Sequence, residues 1–249
     1  MHSNIGKGDV AFLAAEVAAA IVSLLVAMAL PGFGERFFAP IEDLMRRLAR
    51  KPALAILLVG LSAPAIRLLL LPVVPIPNPE RHDEFSHLLA GETFASGRLT
   101  NPTHPLWTHF ETFHEEHQPT YMSMYPPAEG LILAAGRILF RHPWFGVCLS
   151  VGVMCAAIFW MLRAWLPPEW ALLGGLLVVL RIGIFSYWMN SYWGGAPAAI
   201  GGALILGALP RIMHQPQRWS ALLLGIGFAT LANRRPVEGM LLSVPVIAA

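Results

Sequence analysis

PALAILLVGLSAPAIRLLLLPVVP, residues 52–75, decides the class of fold. Only Arg67 interrupts its apolar character. A spanning helix needs about 20 such residues. In hydrocarbon every backbone N–H and C=O must be bonded within the segment, and a helix does this. Similar runs follow along the chain: Val10–Leu30, Ala128–Phe140, Phe145–Leu162, Ala171–Trp188, Gly194–Leu209, Ala221–Ala232 and Val237–Ala249. Charged residues are 13 % of the 249, about half the share of a soluble domain, and the alternation of a membrane barrel is absent. The expectation is an all-α, polytopic transmembrane helical bundle.

The first run follows MHSNIGKGD without a small-residue cleavage site, so it reads as a retained helix. Residues 31–52 read as a polar connector with Arg36, Arg46, Arg47, Arg50 and Lys51, the densest basic stretch, which belongs in the cytoplasm. Two parts result: 1–52, an added helix with its basic connector, and 53–249, a membrane domain. Residues 76–126 then form a long exterior loop. Beyond residue 126 two topologies remain open. If Ala128–Phe140 crosses, Arg141, Arg234 and Arg235 join the basic side; if it only dips in, Arg163, Arg211 and Arg218 do. Both divide the basic residues eight against five. The chain ends in LLSVPVIAA, within an apolar run, which predicts a longer protein.

The loop 76–126 holds the chemistry-bearing side chains. Six of the nine histidines and seven of the fifteen acids fall there. Its sharpest element is HDEFSHLLAGETFASG, residues 82–97. Phe85, Leu88, Leu89 and Phe94 recur at helical spacing and Gly97 is a stop signal, so a surface-lying amphipathic helix is expected. Asp83 and Glu84 fall in its first turn, where the helix dipole favours carboxylates. His87 shares their face at i+4 and i+3. HEEH, residues 114–117, repeats the His and acid theme without the zinc-protease spacing. Neutral imidazole and carboxylate suit a divalent metal (zinc, manganese or magnesium), with His82, His87, His114 and His117 as candidate ligands beside Glu84. The adjacent Arg234 and Arg235, followed by Glu238, suit a phosphate or a positive anchor. MNSYWGGAP, residues 189–197, offers amide, hydroxyl and indole groups for a sugar or for an ordinary interfacial turn. Cys148 and Cys155, seven apart in one run, read as small buried hydrophobes.

The order of these blocks resembles the C-type membrane glycosyltransferases, in particular the protein O-mannosyltransferase and aminoarabinose-transferase branch, family 39. HDEFSHLLA, NPTHPLWTHFETFH, QPTYMSMYPPAEG, YWMNSYWGG and LANRRPVEG are closest to uncharacterised bacterial members. The likeness spans roughly residues 53–249. It implies a bacterial inner-membrane, multi-pass enzyme with 76–126 outside the cytoplasm. Such an enzyme moves a sugar from a polyprenyl phosphate to a glycan, lipid or protein acceptor, with inversion. Carried over, Asp83 matches the catalytic acid and Glu84 its neighbour, and Tyr125 with the two prolines after it opens the next helix. Substrate-binding positions are then Tyr125, Asn190, Tyr192, Arg234, Arg235 and Glu238. The chain departs from the family where Asn190, Ser191 and Tyr192 stand at a second exterior motif that often holds an aspartate. The lipid bilayer is an expected partner and nucleic acid is not. The competing expectations are a transporter module and a non-catalytic membrane scaffold.

Overall fold

A computed structural model describes residues 7–30, 32 and 34–248, residues 7–12 by their backbone alone. Residues 1–6 of the expected amino-terminal part lie outside the described residues. The chain divides into two compact units, Met1–Met45 and Arg46–Ala249. The first holds α1 (Lys7–Ala29) and most of α2 (Glu35–Ala49). The expected connector is therefore helical. Phe37, Ile41 and Leu44 recur at helical spacing, which a count of charges alone conceals.

The second unit is built from α3 (Pro52–Leu69), α4 (His82–Ala95), α5 (Pro127–Phe140), α6 (Trp144–Leu162), α7 (Pro168–Val178), α8 (Ala196–His214), α9 (Arg218–Ala232) and α10 (Pro236–Ala248). A π-helical turn, Val179–Ile184, extends α7. Among the described residues α3, α6 and α8 are long and apolar enough to cross a membrane, and α9 and α10 are shorter apolar helices. Their outward faces are apolar too: Leu57, Leu61, Leu222, Leu241 and Ile247 are each more than half exposed. A surface of this kind is compatible with membrane association.

The bundle has two ends. Arg67, near the end of α3, lies 4.9 Å over the ring of Trp144 at the start of α6, so these helices are antiparallel. Gly60 and Gly152 meet midway, where small residues let the backbones approach. The α7 segment runs back along α6, with Gly175 against Phe159 and Gly183 against Cys155. Then α8 returns, Trp165 Nε1 donating to Leu206 O at 2.9 Å. Helix α9 reverses again, Gly227 meeting Gly201, and α10 folds against it through Gly239 and Leu231.

Helix α5 does not follow this alternation. Glu129 in its first turn meets Arg234, whose guanidinium donates to Trp193 O. Just past its other end, Trp144 Nε1 donates to Met189 O at 2.9 Å. Both ends of α5 thus lie beside residues that bond to the 185–195 segment. The helix begins and finishes at one end of the bundle, the end that carries α4. At 14 residues it is about 21 Å long.

Helix α4 lies across α5. It ends as expected, with Gly97 at φ 77°, Arg98 N–H donating to Thr93 O and Gly97 N–H to Phe94 O. Its buried face is not the apolar stripe. Glu84, Ser86, His87, Ala90, Gly91 and Thr93 are buried, while Phe85 is half exposed. The helix meets its own chain through small and polar groups and turns part of its apolar stripe outward.

Candidate active site

The stretch after α4 folds back onto it. Asn101 and Tyr121 exchange backbone hydrogen bonds at 2.9 Å, and Glu115–Glu116 pairs antiparallel with Met122–Ser123. Ser86 Oγ donates to His114 O and lies 2.7 Å from Ser123 Oγ. These bonds bring His114 and Tyr125 over the first turn of α4.

Asp83 sits at the centre of that contact. Its Oδ1 accepts the Tyr125 hydroxyl proton, and His114 Nδ1 lies 3.3 Å away. Tyr125 has one proton and it is committed to Asp83. The Tyr125 oxygen, 2.9 Å from His114 Nδ1, therefore accepts from that nitrogen, which fixes the His114 tautomer. Burial, followed by the hydrogen bond to Asp83, pushes the Tyr125 phenol up to about 12, so it stays a donor at neutral pH. Asp83 Oδ2 has no hydrogen-bond partner among the described residues, and the side chain is 26 % exposed.

His87 lies one turn on, as its spacing predicts, with its ring stacked on Tyr125 at 4.5 Å. It is buried and its Nδ1 has no partner. Burial first, then the Arg234 charge, lowers it to about 3 against the pull of Asp83. It is a neutral wall of the site, not a proton carrier near pH 7.

Glu84, the neighbour of Asp83, has a different role. Its Oε2 accepts from the backbone N–H of Glu80 at 2.9 Å and of Arg81 at 3.0 Å. Its Oε1 accepts from Tyr192 N–H at 3.0 Å. A carboxylate satisfied by three backbone donors caps α4 and clamps it to the 185–195 segment. The expected catalytic pair is thus one open acid and one joint.

Asn190 and Tyr192 are also structural. Asn190 Nδ2 donates to Ile184 O and Ser186 O, and its Oδ1 accepts from Arg67 Nε at 2.9 Å. Arg67 also donates to Val74 O and Pro75 O. Tyr192 OH donates to Pro77 O at 2.9 Å. Asn190 also lines a cleft of about 540 Å³, with Asn78, Glu80, Arg81, Tyr187 and Trp193. Arg81 lies over the Trp193 ring at 5.6 Å.

The two adjacent arginines diverge. Arg234 is buried, donates to Trp193 O and Gly194 O, and lies 3.7 Å from Glu129 Oε2. Burial holds the Glu129 carboxyl above its ordinary range despite that guanidinium. Arg235 is exposed and pairs with Glu238 at 3.1 Å. One is a fixed internal charge and the other belongs to a surface pair.

The four histidines each stack on a neighbouring ring. His82 and His114 rings stack 6.1 Å apart, and His87 packs on Tyr125. His117 stacks on Tyr121 at 4.9 Å and lies 3.8 Å from Glu115. Only the central Glu115–Glu116 of HEEH is strand, and the flanking histidines part, His114 to Tyr125 and His117 to Tyr121. Among the described residues no three His, Cys, Asp or Glu side chains form an ion site.

Sequence reading missed Glu129, Arg81 and Tyr187. Glu129 is visible in PPAEG as an acid at a helix start, yet its partner lies 105 residues away. Compared with protein families, curated proteins and solved structures, the chain finds no match.

Proposed function

We propose that the chain is a multi-pass glycosyltransferase of the bacterial inner membrane. It moves a sugar from a polyprenyl-phosphate donor to a glycan, lipid or protein acceptor outside the cytoplasm, inverting the anomeric centre. One observation carries this reading. Asp83 has one oxygen held by Tyr125, beside His114, and one without a hydrogen-bond partner among the described residues, on the helix that also walls an aromatic and amide-lined cleft.

In this reading the acceptor hydroxyl gives its proton to Asp83 Oδ2 as its oxygen attacks the anomeric carbon. The bond from that carbon to the phosphate oxygen breaks, and the lipid phosphate leaves with the electron pair. Arg81 is the exposed cation that meets the phosphate, with Arg234 as fixed charge behind Tyr125. Tyr187 and Trp193 supply faces for the sugar ring.

The sidedness in this proposal is supported by α5. Because it does not carry the chain across, Arg163, Arg211 and Arg218 fall with Arg50 and Lys51 at the end opposite α4. That basic end is the cytoplasmic one, and 76–126 faces outward.

The test is Asp83→Asn. Asparagine keeps the shape and caps a helix start equally well, but it cannot take a proton. Transfer from a lipid-linked sugar should fall at least ~100-fold with unchanged thermal stability. Near-normal transfer removes Asp83 as the base. Absence of any turnover in the unmodified protein favours the scaffold or transporter reading. Repeating the assay with a chelator tests the divalent cation expected from the histidines.

A further inference from the structure

The opposite end of the bundle carries a second basic site, about 28 Å along α6 from Trp144. There Arg163, just past α6, and Arg211, in the last turns of α8, border one cavity of about 360 Å³ with His214, Gln215 and Gln217.

The arginines are not flexible surface charges. Arg211 Nη2 donates to Trp160 O at 2.9 Å, Nη1 donates to Gly207 O, and the guanidinium lies 4.0 Å from the Trp160 ring centroid. Arg163 Nε is buried without a hydrogen-bond partner. No carboxylate forms an ion pair with either one among the described residues. An ordinary positive anchor points its charges into water. Here two like charges border one cavity, Arg211 held by two carbonyls, and neither has a counter-ion among the described residues, an arrangement that a bound anion relieves.

The surroundings bear on what kind of anion fits. Trp165, Trp170 and Trp219 stand 57 %, 62 % and 73 % exposed on the segments flanking the cavity. Exposed indoles of this kind settle at headgroup depth. Guanidinium forks match phosphate oxygens, and the two glutamines add neutral donors.

We propose that this cavity binds a phosphate group, supplied by an anionic phospholipid headgroup or as free orthophosphate. The tryptophans favour the lipid. The site is independent of the Asp83 chemistry.

The experiment uses the purified full chain in detergent, titrated with phosphatidylglycerol, phosphatidylcholine or orthophosphate, with retained ligand counted by native mass spectrometry. The unmodified chain should prefer phosphatidylglycerol over phosphatidylcholine at least about tenfold, the worth of one charge-assisted hydrogen bond. Arg163→Gln should abolish that preference. Arg218→Gln, on an exposed side chain outside the cavity, should keep it. His214→Gln, also exposed, is the second variant and should weaken it with helix content unchanged. Orthophosphate that binds and displaces the lipid identifies the free anion as a sufficient ligand and supports the site. Equal retention of the two lipids without orthophosphate binding, a preference surviving both cavity variants, or equal loss in Arg218→Gln overturns the proposal.

Discussion

Asp83 and Glu84 are adjacent acids with opposite duties, and substitution by the matching amide separates them. Glu84 accepts three backbone hydrogen bonds through two oxygens. A glutamine there has one accepting oxygen, so at least one buried N–H loses its partner, at about 1–3 kcal/mol. Glu84→Gln should therefore lower the melting temperature, while Asp83→Asn leaves it unchanged. The reverse order in a thermal melt would contradict both assignments. His87 gives a pH dependence. Its folded value near 3 lies below the ordinary 6.5, so the unfolded chain binds the proton first on acidification. The stability it contributes is present above pH 6.5 and is lost as pH falls toward 3, at no more than about 1.4 kcal/mol per pH unit. His87→Gln should flatten the melting profile between those limits. An unchanged slope would mean that His87 does not set it.

At the scale of elements, the approach of α4 to α5 holds the site together. A methyl on Gly130 would stand 2.6 Å from Ala90 Cβ, and one on Gly91 2.8 Å from Leu133 Cβ. Gly130→Ala should destabilise by about 1–3 kcal/mol through overpacking and tilt Asp83 away from Tyr125. A chemical melt alongside a transfer assay would show both losses, and an unaffected protein would mean that the helices separate easily. The limits of α4 were legible because they are local: an acid pair at the start, a glycine at the stop, and helical spacing between. Its partners were not. The pattern Phe85, Leu88, Leu89, Phe94 marks the greasiest stripe, and in a chain with bilayer-length apolar runs that stripe need not be the one the protein buries against itself. Glu129 with Arg234, and Arg67 with Asn190, are pairings between distant segments. Taken alone, the charged members read as interfacial charges and Asn190 as a polar turn residue.

For the whole molecule, the sequence left two topologies in balance because counting arginines cannot tell a short crossing from a dip. The proposed topology rests instead on where the two ends of α5 lie in the bundle, a matter of packing and not of composition. Cysteines introduced at Leu99 and Gln217, both exposed, should divide under an impermeant thiol reagent added to whole cells. Leu99→Cys should react and Gln217→Cys should not; the native Cys148 and Cys155 are buried. Labelling of both would place both ends on one side and dismantle the proposed topology. Arg67 has a last consequence, for the order of synthesis. Its guanidinium is anchored near the end of α3 but is completed by Asn190, 123 residues later. At about 5–20 residues per second, a ribosome needs roughly 6–25 s to make that interval. Through that time the nascent chain offers Nε no Asn190, and Nη1 and Nη2 only the nearby carbonyls of Val74 and Pro75. Synthesis of α3 precedes its own neutral lining, so the maturing protein carries an incompletely matched cation until Asn190 emerges.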